Sequence, residues 1–165
     1  MIHSVLLRSA VSDDFDRVYE IYMDPFVNPF MSWEVMTRQE FKPIFDGLLA
    51  GRNLYAYDVE GAPVAVIRLD RKTHRLSHVA YIGGFGILSA YQNMGLGKRI
   101  MHAAIEKLAG EGVKRIELIV EGDNPRAIKL YESLGFQKEG TLRRFFKRAS
   151  DSSYIDDLYM ARLLD

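Results

Sequence analysis

Tyr91-Gln92-Asn93-Met94-Gly95-Leu96-Gly97-Lys98-Arg99 decides how the chain is read. An apolar run, Phe85 to Leu88, precedes it, and Leu96, Ile100, Ala103, Ala104 and Leu108 follow at helical spacing. The segment therefore reads as strand, glycine turn, helix. Glycines at 95 and 97 let backbone approach a ligand with no Cβ in the way. The first N–H groups of the new helix lack internal partners and, with the helix dipole behind them, suit a phosphate. Lys98 and Arg99 add positive charge. The spacing matches neither the Walker nor the dinucleotide fingerprint. Over these nine residues alone, a plain glycine turn that merely starts a helix reads the same way.

A second segment changes the balance: Asn124-Pro125-Arg126-Ala127-Ile128-Lys129-Leu130-Tyr131-Glu132-Ser133-Leu134-Gly135-Phe136 lies one helix and one strand later. Together, Gln92-x-x-Gly95-x-Gly97 and this segment resemble the two signatures of the GCN5-related N-acetyltransferases, the GNAT superfamily. The resemblance covers nearly the whole chain. A finer likeness, to bacterial amino-acid N-acetyltransferases of the phenylalanine/methionine type, rests on Ser77-His78-Val79-Ala80, Arg115 to Val120, Glu139-Gly140-Thr141 and Tyr159-Met160-Ala161-Arg162.

A length of 165 residues suits one domain spanning 1–165 with room for a sizeable core. Formal net charge is zero, which argues against nucleic acid or an anionic membrane as partner and makes any phosphate site local. Without cysteine there can be no disulfide, thiolate metal site or cysteine nucleophile. His3, His74, His78 and His102 show no ligand spacing, so no metal is expected. No leader pattern or bilayer-length apolar run is present, and a cytoplasmic protein is the default expectation.

Taken in order, Val5 to Arg8 reads as a first strand, and Ser12-Asp13-Asp14 as the cap of a helix with Phe15, Val18 and Tyr22 on its apolar face. The loop Asp24 to Trp33 carries two prolines and three large aromatics, which either tuck into a satellite core or line an apolar pocket. Thr37-Arg38-Gln39-Glu40 has capping-box form, yet Pro43 suggests that the main second helix starts there instead. Leu54–Val59 and Pro63–Leu69 form a hairpin, and Val79 to Leu88 is the strand entering the turn, with Gly83-Gly84 marking a bulge. Strand Arg115–Val120, a helix capped by Asn124 with Pro125 at its first position, a late strand from Phe136 and a final strand Tyr154–Leu163 complete the pattern. Arg143, Arg144, Lys147 and Arg148 read as a solvated hairpin face. Alternating elements predict an α/β fold, three layers around a mixed central sheet. The resemblance implies the GNAT version, with a splayed strand at the acetyl-CoA site.

The resemblance also assigns roles. Acetyl-CoA is the acetyl donor, contacted by Phe85, Ile87, Leu88, the turn Gln92, Asn93, Met94, Gly95, Leu96, Gly97 and Lys98, and by Asn124, Ala127 and Tyr131. The Ile87 N–H faces the thioester carbonyl as an oxyanion donor, and Tyr131 serves as acid toward the departing thiolate. A small-molecule amine attacks directly, its body held by Phe30, Trp33 and Tyr81. An apolar amino acid is the leading acceptor, and a homodimer is the assembly to test. Alternatives are a protein N-terminal or lysine acetyltransferase, and a non-catalytic acyl-CoA sensor. The base that frees the amine stays open: the usual strand positions hold Tyr81 and Gly83, leaving His78 and Glu121 as weak candidates.

Overall fold

In a computed structural model, which describes residues 6–165, Asn93 and Gly95 turn the chain sharply. Both have left-handed backbone, with φ of 61° and 74°. The helix that follows, α3 (Leu96–Gly110), buries Leu96, Ile100, Met101, Ala104, Ile105 and Leu108 on one side, as the periodicity requires.

The strands are β1 (Arg8–Ser9), β2 (Leu54–Val59), β3 (Ala62–Arg71), β4 (Val79–Ile87), β5 (Arg115–Glu121), β6 (Gln137–Phe146) and β7 (Ile155–Leu163). They form one seven-stranded sheet in the order β1-β2-β3-β4-β5-β7-β6. Its mixed character comes from β4 and β5, which run parallel while the β1–β2, β2–β3, β5–β7 and β6–β7 pairs run antiparallel. With helices α1 (Phe15–Met23), α2 (Arg38–Ala50), α3 and α4 (Pro125–Ser133), the expected α/β class is observed. Among the described residues no helix is long and apolar enough to cross a membrane.

By internal contacts the chain has two compact units. The first runs to Leu69 and adds Gly84–Ala104. In it Val18, Ile21 and Tyr22 of α1, Phe41 and Phe45 of α2, Leu54 and Val66 of the strands, and Val27 and Met31 of the intervening loop form one buried cluster. The second comprises Asp70–Gly83 and Ile105–Asp165, where Leu108, Ile116, Leu118, Val120, Leu134, Phe136 and Met160 are buried.

Four local expectations need correction. The described first strand is Arg8–Ser9 rather than Val5 to Arg8, and Val5 lies outside the described residues. Asp14 of the Ser12-Asp13-Asp14 stretch takes the N-cap position of α1, but no side chain caps the helix: residues 12–14 form a 3-10 turn, and the Asp14 carboxylate accepts the Val11 N–H while gripped by Arg8. The buried two-pronged ion pair outweighs a serine cap. Pro43 does not start the second helix. The capping box at Thr37 and Glu40 is formed, and α2 runs unbroken through Pro43. Full burial of Phe41 and Phe45, on either side of the proline, holds that turn despite the lost hydrogen bond. Finally, Arg148 is not a solvated cation. It is mostly buried, paired to Asp123 at 2.8 Å and Asp151 at 3.2 Å, with its guanidinium 5.0 Å from the centre of the Phe146 ring.

Candidate active site

The first unit carries the glycine turn and the aromatic loop. Phe85 and Ile87 end β4, and Leu88 donates its N–H to Val64 O at 2.9 Å. Gln92 then folds back, its Nε2 donating to Ile87 O at 2.9 Å. This bond fixes the peptide on the carbonyl side of Ile87 and starts the turn. Among the described residues the N–H groups of Leu96, Gly97 and Lys98 have no acceptor, and the first closed bond is Arg99 N–H to Gly95 O. A Cβ built on Gly95 would meet nothing within 4 Å. Three convergent donors at a helix start, beside open space, fit a diphosphate. Asn93 and Met94 are exposed, whereas Leu96 is buried and contributes through its backbone.

Gly84, within the Gly83-Gly84 pair of β4, has left-handed backbone with φ 53°, and Tyr22 Oη lies 3.2 Å from where its Cβ would stand, so a side chain there would be strained. The parallel ladder between β4 and β5 covers Val79, Ala80 and Tyr81.

Asp24 governs the aromatic loop, and nothing in sequence reasoning singled it out. Its Oδ1 accepts the Phe26 N–H, while Oδ2 accepts both the N–H and the hydroxyl of Ser89 at 2.9 and 2.8 Å. The loop is thereby tied to the segment between β4 and the glycine turn. Burial alone would raise this carboxyl, but the hydrogen bonds from Ser89 and Phe26 prevail and hold it below the usual range. Asn28, also buried, donates to Tyr22 O and Trp33 O. Of the aromatics, Trp33 packs on the core with its ring 5.9 Å from Tyr22, while Phe26 and Phe30 stay exposed. The satellite-core reading of this loop thus holds for Trp33. The Asp-Pro pair at 24–25 was the available signal, a common turn opener.

The second unit carries Tyr81, Asn124, Ala127 and Tyr131. Asn124 Oδ1 accepts the Ala127 N–H at 3.2 Å, the expected cap, and its side chain also bonds Glu121. Tyr131 projects from α4, its ring 5.9 Å from Phe136. Burial, then the charges of Glu121 and Tyr81, push its phenol above the ordinary value, so it keeps its proton throughout the physiological range.

Two glutamates two turns of pleat apart on β5 behave oppositely. Burial would raise Glu117, but Lys72 and Arg115, each at 2.8 Å, bring it down to about 2. For Glu121, burial prevails over a hydrogen bond from its own backbone, Asp157 adds to the effect, and the carboxyl is pushed up to about 7. His78 is exposed at the start of β4.

Comparison with known proteins agrees with this geometry. The model of the acetyltransferase (GNAT) family matches residues 15–136. The chain is 38% identical over 172 residues to the L-amino acid N-acetyltransferase AaaT of Escherichia coli (strain K12), covering 96% of this chain and 98% of that one. The crystal structure of an acetyltransferase (GNAT family) from Bacillus anthracis superposes with a TM-score of 0.82 at 19% identity, over 98% of this chain and 95% of that one. A GNAT superfamily phosphinothricin acetyltransferase from Sinorhizobium meliloti, in complex with AcCoA, gives 0.77 at 19% identity, over 98% and 89%. These two likenesses concern the fold. With the family model spanning most of the chain and a relative matching it almost end to end, this protein belongs to the acetyltransferase (GNAT) family and is an N-acetyltransferase that uses acetyl-CoA.

Proposed function

We propose that the acceptor is a free L-amino acid with an apolar side chain, acetylated on its α-amine. The observation that carries this reading is the near end-to-end similarity to an L-amino acid N-acetyltransferase. The aromatic loop supports it. Phe26 and Phe30 are exposed on a loop that Asp24 ties to Ser89, three residues before Gln92. Few carboxylates accompany them, as a polyamine site would require.

In this reading the 1–165 chain works as one catalytic domain. The N–H groups of Leu96, Gly97 and Lys98 hold the diphosphate of the donor, and Lys98 adds charge. The Ile87 N–H faces the oxygen that becomes negative as the amine adds, and Gln92 holds the next peptide through the Ile87 carbonyl. The bound donor supplies an acetyl thioester, whose thiolate is a good leaving group. Tyr131 stabilises that thiolate chiefly as a hydrogen-bond donor. Its phenol is raised by burial, so complete proton transfer to a more acidic thiol would run uphill. Asn124 caps α4 and so sets the position of Tyr131 two turns on.

Tyr131→Phe is expected to lower kcat about 10- to 100-fold, the worth of one hydrogen bond to a charged group, with little change in affinity for acetyl-CoA. Single-turnover kinetics measure this, and wild-type kcat in the variant would return Tyr131 to packing alone. Phe30→Ala tests the acceptor assignment itself. Losing an apolar wall worth ~1.5–3 kcal/mol when fully used should shrink the methionine-to-glycine ratio of kcat/KM roughly tenfold or more. An unchanged ratio would place the acceptor side chain elsewhere.

A further inference from the structure

Within the first unit, the aromatic loop grips the end of β4 on both flanks of Ile87 and Leu88. On one flank stands Gly86. A Cβ there would lie 2.8 Å from Val27 Cγ1 and 3.2 Å from Ile21 Cγ2, so buried Val27 packs on bare backbone. On the other flank the Asp24 carboxylate holds Ser89, accepting its N–H at 2.9 Å and its hydroxyl at 2.8 Å. Leu88, between the two grips, packs against the same cluster as Val27 and Met31.

Asp24 joins two hydrogen-bonded segments. Toward the loop, its Oδ1 accepts the Phe26 N–H at 2.8 Å, and its backbone carbonyl accepts those of Val27 and Asn28. The exposed aromatics Phe26 and Phe30 follow directly on that turn. Toward the donor turn, Ser89 O accepts the Gln92 N–H at 3.2 Å, and Gln92 reaches back to the Ile87 carbonyl. The open N–H groups of Leu96, Gly97 and Lys98 lie just beyond. Because Asp24 is ionised, its bonds to Ser89 are charge-assisted and stronger than neutral ones.

A diphosphate on the turn and a side chain against Phe26 and Phe30 would therefore restrain one continuous segment. A first ligand that orders a shared segment lowers the ordering cost for the second. Such coupling is reciprocal in binding free energy.

We propose that Asp24 is a positioning residue that couples the two substrates: through Ser89 it makes the donor turn and the acceptor loop respond as one, so each substrate tightens the binding of the other. It rests on the amino-acid acceptor reading above. Asp24 is buried and acts through the backbone it holds, with no bond made or broken at its carboxylate.

Titration calorimetry on the full chain tests this, with free CoA as the unreactive form of the donor and L-methionine as acceptor. Saturating CoA should tighten L-methionine binding at least about fivefold, and saturating L-methionine should tighten CoA binding by the same factor. An amide at position 24 accepts at one end only and sets its NH2 group against an N–H at the other, so it cannot serve Phe26 and Ser89 together. Asp24→Asn should bring both factors below about twofold, while CoA alone binds within about threefold of wild type. Ser89→Ala spares the Phe26 turn and should cut the factor at least about twofold, with Ser89→Thr restoring it. No coupling in the wild-type protein would overturn the proposal. So would wild-type factors in Asp24→Asn or, where that variant does not fold, in Ser89→Ala.

A second readout needs no acceptor. Trp33 is the one tryptophan in the chain, its ring 5.9 Å from Tyr22 and its carbonyl bonded by Asn28 in the same loop. CoA should slow acrylamide quenching of Trp33 in the wild-type protein, and Asp24→Asn should lose that response at saturating CoA. Quenching that ignores CoA in the wild type, or slows equally in Asp24→Asn, would overturn the coupling. A wild-type response without any L-methionine binding would uphold the path through Asp24 and overturn the acceptor reading alone.

Discussion

Gly122→Ala is expected to cost about 3 kcal/mol, lowering Tm by roughly 6–12 °C in a chain of this size. A Cβ on Gly122 would lie 2.2 Å from the backbone carbonyl oxygen of Asp156, a distance no rotamer change can relieve. The same peptide already donates its N–H to that oxygen at 3.1 Å, so the strand end is held against the glycine. Relief requires β7 to retreat at Asp156, and Asp157 moves with it. Gly47→Ala is the matched control. It adds the same methyl within α2, where a Cβ meets nothing within 4 Å, and should stabilise by up to about 1 kcal/mol. Differential scanning calorimetry reads both, and equal melting of Gly122→Ala and wild type would contradict the geometry of the β5–β7 end.

The second large effect is expected at the glycine turn. Gly95→Val should weaken acetyl-CoA binding at least tenfold, while the fold loses only ~1–2 kcal/mol from a β-branched residue at φ 74°. The new side chain projects into the open space beside the N–H groups of Leu96, Gly97 and Lys98, where the proposed diphosphate would stand. Titration calorimetry separates the two consequences. Full affinity in a folded Gly95→Val variant would mean that the phosphates bind elsewhere.

What the sequence made legible was local. The glycine turn, the Asn124-Pro125 helix start, the Thr37 capping box and the β2–β3 hairpin depend on neighbours a few residues away, and each pattern has one physical reading. Pro43 misled because the local proline rule met a tertiary counterweight in Phe41 and Phe45, and the counterweight prevailed. The tertiary ties span long separations. Asp24 and Ser89 are 65 residues apart, and no periodicity joins them. Glu121 and Asp157 become partners only because β7 inserts between β5 and β6, an order that pattern and spacing leave open. The same insertion explains why Glu121 looked an unremarkable candidate as a lone acid at a strand end. Its raised proton affinity comes first from burial and then from Asp157, which lies 36 positions along the chain.

The central claim concerns the acceptor, and one competition decides it. Wild-type protein with limiting acetyl-CoA would be offered equimolar L-methionine, L-phenylalanine, glycine, spermidine and a peptide with an N-terminal methionine, with products resolved by mass spectrometry. The account predicts N-acetyl-methionine and N-acetyl-phenylalanine as the main products, N-acetylglycine well below them, and little acetylated spermidine or peptide. Dominant acetylation of spermidine or of the peptide would contradict it, leaving the family and the donor in place but moving the acceptor to another class.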